Sequence, residues 1–301
     1  MAAKLCLGTV QFGMNYGINN KSGKPDLKDV FTMLDYAWDQ GIRIFDTAMA
    51  YGDAEDILGQ YITARGYSNE IRVISKLKPN LISDDCLNAE EIVLGEVEGS
   101  LKRLKLQRLE GYLLHTPTNF YNPSIINGLK ACREKGLVEN IGVSIYETQH
   151  ALDVVSSGIV NYIQVPYSVF DQRLNPTEFF RIAKENNVTV FGRSAFLQGL
   201  ILMEDEDIPD HLAIARKYLR EFDEIIRKYE LGRAKAAFLF SYLNPGVDYV
   251  VFGVDNINHL VEDMNFANEG TSYYEACMEE LKNKFVNIEE SIIFPSLWAR
   301  K

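Results

Sequence analysis

Residues 42–59 carry the stretch IRIFDTAMAYGDAEDILG, which indicates how the chain folds. It starts with a short apolar run, IRIF, that ends on the acidic residue Asp46. A turn containing Tyr51 follows, and beyond it the apolar residues recur at helical steps of three and four. A short apolar strand, a loop and an amphipathic helix in this order form the repeating unit of a parallel α/β sheet.

The same unit recurs along the whole chain. Short apolar segments predict eight strands, at residues 5–9, 42–46, 71–76, 111–115, 140–144, 162–165, 189–193 and 249–253. Helical periodicity predicts helices at 27–40, 54–64, 89–104, 123–135, 148–156, 176–186, 212–229, 232–242 and 257–266. The pattern therefore predicts an α/β fold, a (β/α)₈ TIM barrel formed by residues 1–301 as one domain, with a C-terminal tail over the barrel mouth.

Composition excludes several classes of partner. A net charge of −11 argues against nucleic acid, because phosphate binding needs clustered Lys and Arg. Apolar runs are too short for a membrane span, and the N-terminus lacks the pattern of a signal peptide. Cys6, Cys86, Cys132 and Cys277 lie far apart, so we expect reduced thiols in a cytoplasmic protein that binds no membrane.

Three predicted strands end on titratable side chains. Asp46, Lys76 and His115 each finish an apolar run, and Tyr51 follows the first of them. The carboxyl ends of barrel strands meet at one rim, where the functional site of such a barrel lies. Each residue alone has an ordinary structural explanation as a cap, a solvated charge or a core residue, so only the combination indicates a site.

The chemistry of this set favours proton exchange at a carbonyl oxygen. Asp46 would stabilise the Lys76 ammonium, and the ammonium would lower the pKa of Tyr51. A tyrosine tuned in this way can donate a proton to a carbonyl oxygen or take one from an alcohol. A neutral His115 would support the charge that develops on that oxygen. The set contains no Ser or Cys nucleophile, and its spacing predicts no metal site.

These motifs together resemble the aldo-keto reductase family. The resemblance rests on LGTVQFG (7–13), D-T-A-x-x-Y-G within the opening stretch, VISK (73–76), GYLLH (111–115) and IGVS (141–144), and it continues through NYIQVPYSVF (161–170), GRSAFLQGL (192–200) and FGVDNINHLVEDM (252–264). It implies that Asp46, Tyr51, Lys76 and His115 are catalytic. It also implies direct hydride transfer between a nicotinamide cofactor, NADP(H) or NAD(H), and a small-molecule carbonyl or alcohol substrate.

The resemblance also implies a cofactor site without a G-x-G-x-x-G turn. Ser144 and Gln164 would hold the carboxamide, and Ser194, Phe196, Gln198 and Gly199 would line the pyrophosphate. The adenosine end would lie near Gly253, Val254, Asp255, His259, Glu262 and Asp263. Gly8, Thr9, Val10, Asp46 and Arg193 complete the predicted cofactor set.

Three positions depart from the family pattern. Ile145 stands where many members have Asn, so one hydrogen bond to the carboxamide is lost, and Arg193 stands where many have an aromatic ring. Asp255 lies where members that use NADPH carry Lys or Arg for the 2′-phosphate, and among the motif residues only His259 offers a compensating cation. We therefore expect NAD(H) or dual use, and the preference stays open.

The predicted substrate pocket consists of Phe12, Met49, Tyr51, His115, Tyr146, Tyr167 and Trp298. Its aromatic side chains suit an aldehyde, a ketone or a sugar-derived carbonyl. The tail SIIFPSLWARK (291–301) is interpreted as a lid, with packing on the barrel or a dimer contact as the alternatives. We expect a monomer or a weak homodimer.

Two other functions remain open at this point. The same barrel would serve as a redox sensor or regulatory subunit if it held the nucleotide with little or no turnover. A lyase or isomerase would instead use Lys76 as a Schiff base. A protein that only senses the redox state has no need of Tyr51 beside Lys76, so these residues argue against the sensor. A Schiff base requires an uncharged lysine, and the nearby Asp46 carboxylate would instead keep Lys76 protonated.

Overall fold

A computed structural model of the chain describes residues 2–83, 86–269 and 272–298. Eight parallel strands form a closed barrel in which each strand pairs with the next and the last pairs with the first. The predicted (β/α)₈ barrel is therefore confirmed. Its strands are β1 (Lys4–Gly8), β2 (Ile44–Asp46), β3 (Arg72–Leu77), β4 (Leu109–Leu114), β5 (Val138–Ser144), β6 (Tyr162–Pro166), β7 (Thr189–Arg193) and β8 (Tyr249–Gly253).

Helices surround the barrel and extend beyond its last strand. The α-helices of the described ranges are α1 (Val10–Gly13), α2 (Leu27–Asp39), α3 (Ala54–Arg65), α4 (Ala89–Leu104), α5 (Pro123–Glu134), α6 (Thr148–Ser156), α7 (Phe179–Glu185), α8 (Ala215–Arg227), α9 (Arg233–Tyr242), α10 (Ile257–Asn268), α11 (Glu275–Lys284) and α12 (Glu290–Ile293). Short 3₁₀ helices lie at Pro117–Tyr121, Leu197–Leu202, Asp210–Leu212, Ser272–Tyr274 and Pro295–Leu297.

Two predicted boundaries shift for local reasons. Strand β2 starts at Ile44 rather than at residue 42, where the Arg43 guanidinium folds back and donates to the carbonyls of Trp38 and Ile42. Helix α7 starts later than the predicted residue 176, because the Thr177 hydroxyl accepts from the Phe179 amide in place of a helical partner. Helices α1, α11 and α12 were not predicted, since four to ten residues give little periodicity.

Side-chain alternation divides the core into two layers. The barrel interior is filled by one residue or two from most strands: Cys6, Ile44, Ile74, Leu113, Tyr162, Phe191, Tyr249 and Val251. The residues between them point outward into a larger apolar layer beneath the helices. Since the alternation has a period of two, the next inward positions lie two residues closer to the carboxyl ends.

That upper inward layer is the floor of the barrel mouth. It contains polar or glycine positions rather than apolar ones: Gly8, Asp46, Lys76, His115, Ser144, Gln164, Arg193 and Gly253. The eight strands thus present one such residue each. A layer without apolar side chains directly above a dry core indicates a site that binds or transforms a ligand.

The C-terminal tail packs against the loop that follows β6. The Phe285 ring meets the Phe170 ring edge-on at a centroid distance of 5.1 Å. The Arg173 guanidinium lies 4.2 Å from the centre of the Phe294 ring and donates to the carbonyl of Tyr146 at 3.1 Å. The tail therefore contacts the rim of the mouth through Arg173. Residues 299–301 of the predicted lid lie outside the described residues.

None of the helices in the described ranges combines the length and the apolar character needed to cross a lipid bilayer. The predictions of a cytoplasmic location and of a single domain over residues 1–301 stay predictions.

Two helical glycines give a matched test of the packing around the barrel. A Cβ on Gly59 of α3 would lie 2.1 Å from the Arg103 carbonyl oxygen, whereas a Cβ on Gly95 of α4 meets nothing within 4 Å. We expect Gly59→Ala to lower the free energy of unfolding by about 1–3 kcal/mol, because overpacking moves backbone. Gly95→Ala should raise it by up to about 1 kcal/mol. Chemical denaturation measures both, and equal effects would contradict the close approach of α3 and α4.

Candidate active site

The centre of the barrel mouth is a buried ion pair. The Lys76 ammonium donates to both carboxylate oxygens of Asp46 at 2.7 Å and to the carbonyl of Thr47 at 2.9 Å. Lys76 is fully buried and Asp46 is 3% exposed. Each charge stabilises the other at this depth, because burying an unpaired charge costs on the order of 3–5 kcal/mol of folding free energy. The pair therefore fixes the relative positions of β2 and β3.

Tyr51 joins this pair from the turn between β2 and α3. Its hydroxyl lies 3.3 Å from the Lys76 ammonium. The turn packs closely on α1, since a Cβ on Gly13 would lie 1.8 Å from the Tyr51 carbonyl oxygen. The Tyr51 ring meets the His115 ring edge-on at a centroid distance of 5.8 Å. The structure thus brings together all four residues predicted as catalytic.

The pKa of Tyr51 is raised well above its ordinary value. Burial is the largest cause and the Asp46 carboxylate adds to it, while Arg193 acts in the opposite direction. The expectation of a lowered pKa is therefore wrong, because burial and the Asp46 carboxylate outweigh any stabilisation of the phenolate by Lys76. A phenol with a high pKa stays protonated at neutral pH and has a proton to give.

His115 contributes a neutral imidazole. Burial, with Lys76 and Arg193 nearby, lowers its pKa to about 3. Its Nδ1 atom is buried and has no hydrogen-bond partner among the described residues. A neutral ring next to the tyrosine hydroxyl can orient an oxygen atom without adding charge to the mouth.

The residues predicted to hold the carboxamide lie beside Asp46. The Gln164 side-chain amide donates to Asp46 Oδ1 at 2.8 Å, and the Ser144 hydroxyl donates to Gln164 Oε1 at 3.4 Å. Both side chains are almost fully buried. From β1, the Thr9 hydroxyl donates to the carbonyl of Asp46 at 3.1 Å. These contacts join β1, β2, β5 and β6 into one polar floor.

The loop after β7 has an unusual backbone where the pyrophosphate is predicted to bind. Ser194, Leu197 and Gln198 have φ values of 67°, 48° and 54°, in the left-handed region that disfavours residues with a Cβ. Gln198 also accepts from the Ile18 amide at 2.9 Å, so this loop contacts the loop after α1. Strained positions of this kind cluster at ligand sites. Phe196 is partly buried in the same loop.

The residues predicted to lie near the adenosine form a charged cluster at the start of α10. Asp255 Oδ1 lies 2.7 Å from His259 Nδ1 and accepts from the Asn256 side chain at 2.9 Å. This contact lowers the pKa of Asp255 and raises the pKa of His259. Burial, with Glu262 nearby, raises the pKa of Asp263 to about 8. His259, the cation expected to compensate for Asp255, is therefore already paired with Asp255 itself.

Two glycines lie side by side where β1 meets β8 at the mouth, against the side chain of Gln11. Gly8 and Gly253 are register partners on β1 and β8. A Cβ on Gly253 would lie 2.4 Å from Gln11 Oε1, and that oxygen is buried without a hydrogen-bond partner among the described residues. The sequence analysis missed Gln11. Gln11 lies three residues beyond the end of β1, and this position, just after a strand of the barrel, could have indicated a residue of the mouth. Val10 is partly buried, and Val254 is buried.

Arg193 and two tyrosines border the mouth. The Arg193 guanidinium donates to the carbonyl of Ile145 at 3.0 Å and to the Ser194 hydroxyl at 3.2 Å, and it lies 4.6 Å from the centre of the Tyr146 ring. Burial and the neighbouring Tyr51 raise the pKa of Tyr16 to about 12. Tyr16 was also missed, because no periodicity marks its loop. Met49 is partly exposed in the turn after β2.

Phe12 and Tyr167 lie away from the polar floor of the mouth, and a contact of either with substrate stays a prediction. Both are almost fully buried in the apolar layer outside the strands. Tyr167 packs between the rings of Phe180 and Phe240, and its hydroxyl donates to Asn175 at 3.1 Å. The reason is the alternation along β6, which points Gln164 inward and turns Tyr167, three residues later, outward.

Trp298 has its polar group bound inside the tail. The side chain is buried, and the indole N–H donates to the carbonyl of Ile292 at 3.1 Å. This placement favours the packing alternative for the tail, and a contact between Trp298 and substrate stays a prediction. Within the part of the chain that the structure describes, no group of three or more His, Cys, Asp or Glu side chains is placed to hold a metal ion.

Comparison with known proteins places these features in a family. The family model described as "Aldo/keto reductase family" matches residues 4–278. Similar curated proteins include the aldo-keto reductase YhdN of Bacillus subtilis, 25% identical over 84% of this chain and 81% of its own length. The uncharacterized oxidoreductase YqkF of the same organism is 25% identical, over 87% of this chain and 90% of its own length.

Solved structures show the same fold. The holo form of aldo-keto reductase AKR11C1 from Bacillus halodurans matches with a TM-score of 0.73 at 19% identity, over 97% of this chain and 95% of its own. A putative aldo-keto reductase from Pseudomonas aeruginosa matches with a TM-score of 0.65 at 23% identity, over 88% of this chain and 89% of its own. At these identities the likeness supports the fold alone.

The ion pair at the centre predicts a coupled effect on stability. Lys76→Met leaves the Asp46 carboxylate buried without its cation, so we expect the free energy of unfolding to fall by about 3–5 kcal/mol. The double variant Asp46→Asn/Lys76→Met removes both charges and should recover more than half of that loss. Denaturant titration of both variants and of Asp46→Asn completes the cycle. Additive losses in the double variant would show that the two charges do not depend on each other.

Proposed function

The chain belongs to the aldo/keto reductase family, and on this premise we propose that it is an NAD(P)(H)-dependent oxidoreductase. It interconverts an aldehyde or ketone and the corresponding alcohol. The observation that carries the proposal is the position of the Tyr51 hydroxyl, 3.3 Å from the buried Lys76 ammonium and beside the neutral His115 ring. This arrangement places a proton donor at the mouth of the barrel.

The residues around the mouth fit a nicotinamide dinucleotide. Ser144 and Gln164 would hold the carboxamide, and the loop from Ser194 to Gly199 would hold the pyrophosphate. At the paired glycines Gly8 and Gly253 the Gln11 side chain packs on the backbone, and its buried Oε1, which has no hydrogen-bond partner among the described residues, offers an acceptor at this edge. When bound, the nicotinamide supplies or accepts the hydride.

Tyr51 acts as the general acid in reduction and as the general base in the reverse direction. Its raised pKa keeps the proton on the hydroxyl until negative charge develops on the carbonyl oxygen. His115 stabilises and orients that oxygen with an uncharged ring, since its pKa of about 3 keeps it neutral. The proton donor, from the turn after β2, and the orienting group, from the residue after β4, would thus approach one oxygen from two sides.

Lys76 supports the tyrosine after the proton has left. The phenolate formed on Tyr51 would lie 3.3 Å from the ammonium, close enough for a charge-assisted hydrogen bond. Asp46 holds the ammonium in place through two contacts, and the Gln164 amide holds the carboxylate. The buried pair is therefore a support for the reacting hydroxyl as well as a structural bond.

The substrate is proposed to be a small carbonyl compound, with a sugar-derived aldehyde or ketone favoured. Tyr16 and Tyr146 border the mouth, and Tyr146 is 38% exposed. Such amphipathic rings suit a hydroxylated ring that has both apolar faces and polar edges. We propose that the protein acts as a monomer or weak homodimer, without nucleic acid or membrane as a partner.

Replacing the proposed proton donor tests whether the rate of carbonyl reduction can be lowered without a change in nucleotide binding. Tyr51→Phe should lower the rate of NADH- or NADPH-dependent carbonyl reduction by a factor of about 10²–10⁴, because a general acid contributes on that order. Fluorescence titration should show nearly unchanged nucleotide binding. Tyr121→Phe, which removes a half-exposed hydroxyl bonded to Asp153, serves as the control. If Tyr51→Phe kept the rate of the unaltered protein, Tyr51 would not be the proton donor. If the unaltered protein bound nucleotide but reduced no carbonyl compound, the redox-sensor function would be favoured instead.

The adenosine end predicts a weak preference against NADPH. A negative Asp255 repels a 2′-phosphate, and its partner His259 is already committed to it. Asp255→Ser removes this repulsion and frees the histidine. We expect the ratio of the NADPH to the NADH dissociation constant to fall by about tenfold, equivalent to about 1.4 kcal/mol. Glu206→Ser, a change of the same charge in the loop before α8, is the control. An unchanged ratio would mean that Asp255 does not face the ribose.

A further inference from the structure

Arg193 is the inward-facing residue at the carboxyl end of β7. Phe191, two residues earlier, lies inside the barrel, so alternation points Arg193 into the mouth. Its guanidinium is fixed on two sides, by the carbonyl of Ile145 and by the Tyr146 ring. Its charge acts on the two proposed reacting groups, because it lowers the pKa of His115 and opposes the rise in the pKa of Tyr51.

The charge of Arg193 is not neutralised by its contacts. Its hydrogen bonds within the described ranges go to a carbonyl and a hydroxyl oxygen. By contrast, Arg173 at the same rim donates to both carboxylate oxygens of Asp171. Lys76 is paired with Asp46, and His115 is neutral. Among these groups the mouth therefore keeps one net positive charge, in a protein whose overall charge is −11.

We propose that Arg193 makes the site bind the reduced nicotinamide more tightly than the oxidised one. The inference rests on the proposed function. Ser144, a proposed holder of the carboxamide, directly precedes the residue whose carbonyl Arg193 binds. The oxidised ring carries a positive charge and the reduced ring is neutral. A fixed cation beside the ring repels only the oxidised form, and partial burial weakens the screening by water.

This discrimination acts on cofactor loading and release. A site that prefers the reduced ring is loaded for carbonyl reduction and releases the oxidised product readily. The same cation would stabilise the negative charge that appears on Tyr51 once its proton has been donated, but it opposes the positive charge that hydride donation leaves on the ring. The preference therefore favours reduction through binding and release, and not through the hydride step itself.

The test is a set of equilibrium titrations, independent of turnover. Isothermal calorimetry with NADH and NAD⁺, and with NADPH and NADP⁺, gives the ratio of the oxidised to the reduced dissociation constant for each pair. We expect Arg193→Met to lower this ratio by about tenfold, as for the loss of one charge–charge repulsion at a partly buried site. Arg193→Lys keeps the charge and should retain most of the ratio.

Arg108→Met removes one positive charge from an exposed pair with Glu139 and should leave the ratio unchanged. A ratio in Arg193→Met equal to that of the unaltered protein overturns the inference. Equal weakening of both forms also overturns it, because Arg193 would then bind a part that the two forms share. If neither form binds to the unaltered protein, the proposed function itself fails, and this outcome is distinct from the other two.

Discussion

Lys76 and Asp46 place two opposite charges inside the barrel, where each is stable only because the other is present. Because both carboxylate oxygens and the Thr47 carbonyl accept from one ammonium, the end of β3 is tied to the end of β2 at several points. The Tyr51 turn then closes over this contact, and the Gln164 amide adds β6 to it. The positions of the other polar groups in the mouth follow from this one pair.

The sequence predicted those parts of the molecule that a local pattern encodes. Continuous apolar runs marked all eight strands, and a titratable residue at the end of β2, at the end of β3 or just beyond β4 marked the floor of the mouth. Patterns past the strand ends were less informative. Tyr167 was predicted as a pocket residue, yet it follows β6 directly and its side chain packs in the outer apolar layer.

Properties that depend on contacts between residues far apart in the sequence could not be predicted from a local pattern. The pKa of Tyr51 is raised by burial and by the Asp46 carboxylate, and both depend on how separate strands and loops pack together. Gln11 lies in the four-residue helix α1 and Tyr16 in the loop after it, where no periodicity marks them, and their place at the mouth follows from the packing of α1 on the Tyr51 turn. The sequence showed which titratable residues could take part in a reaction. Their pKa values and charges could be derived only from the three-dimensional arrangement.

Arg173 connects the C-terminal tail to the rim, since its guanidinium covers Phe294 and its N–H holds the Tyr146 carbonyl. The groups proposed to move the proton are held by β2, β3 and the loop after β4, and the ion pair links β2 to β3. Changes of sequence in the tail would therefore act first on Arg173 and, through it, on Tyr146. Under the proposed function, substrate selection and proton transfer would depend on separate parts of the chain, so that lineages could diversify the first while the second stays constant.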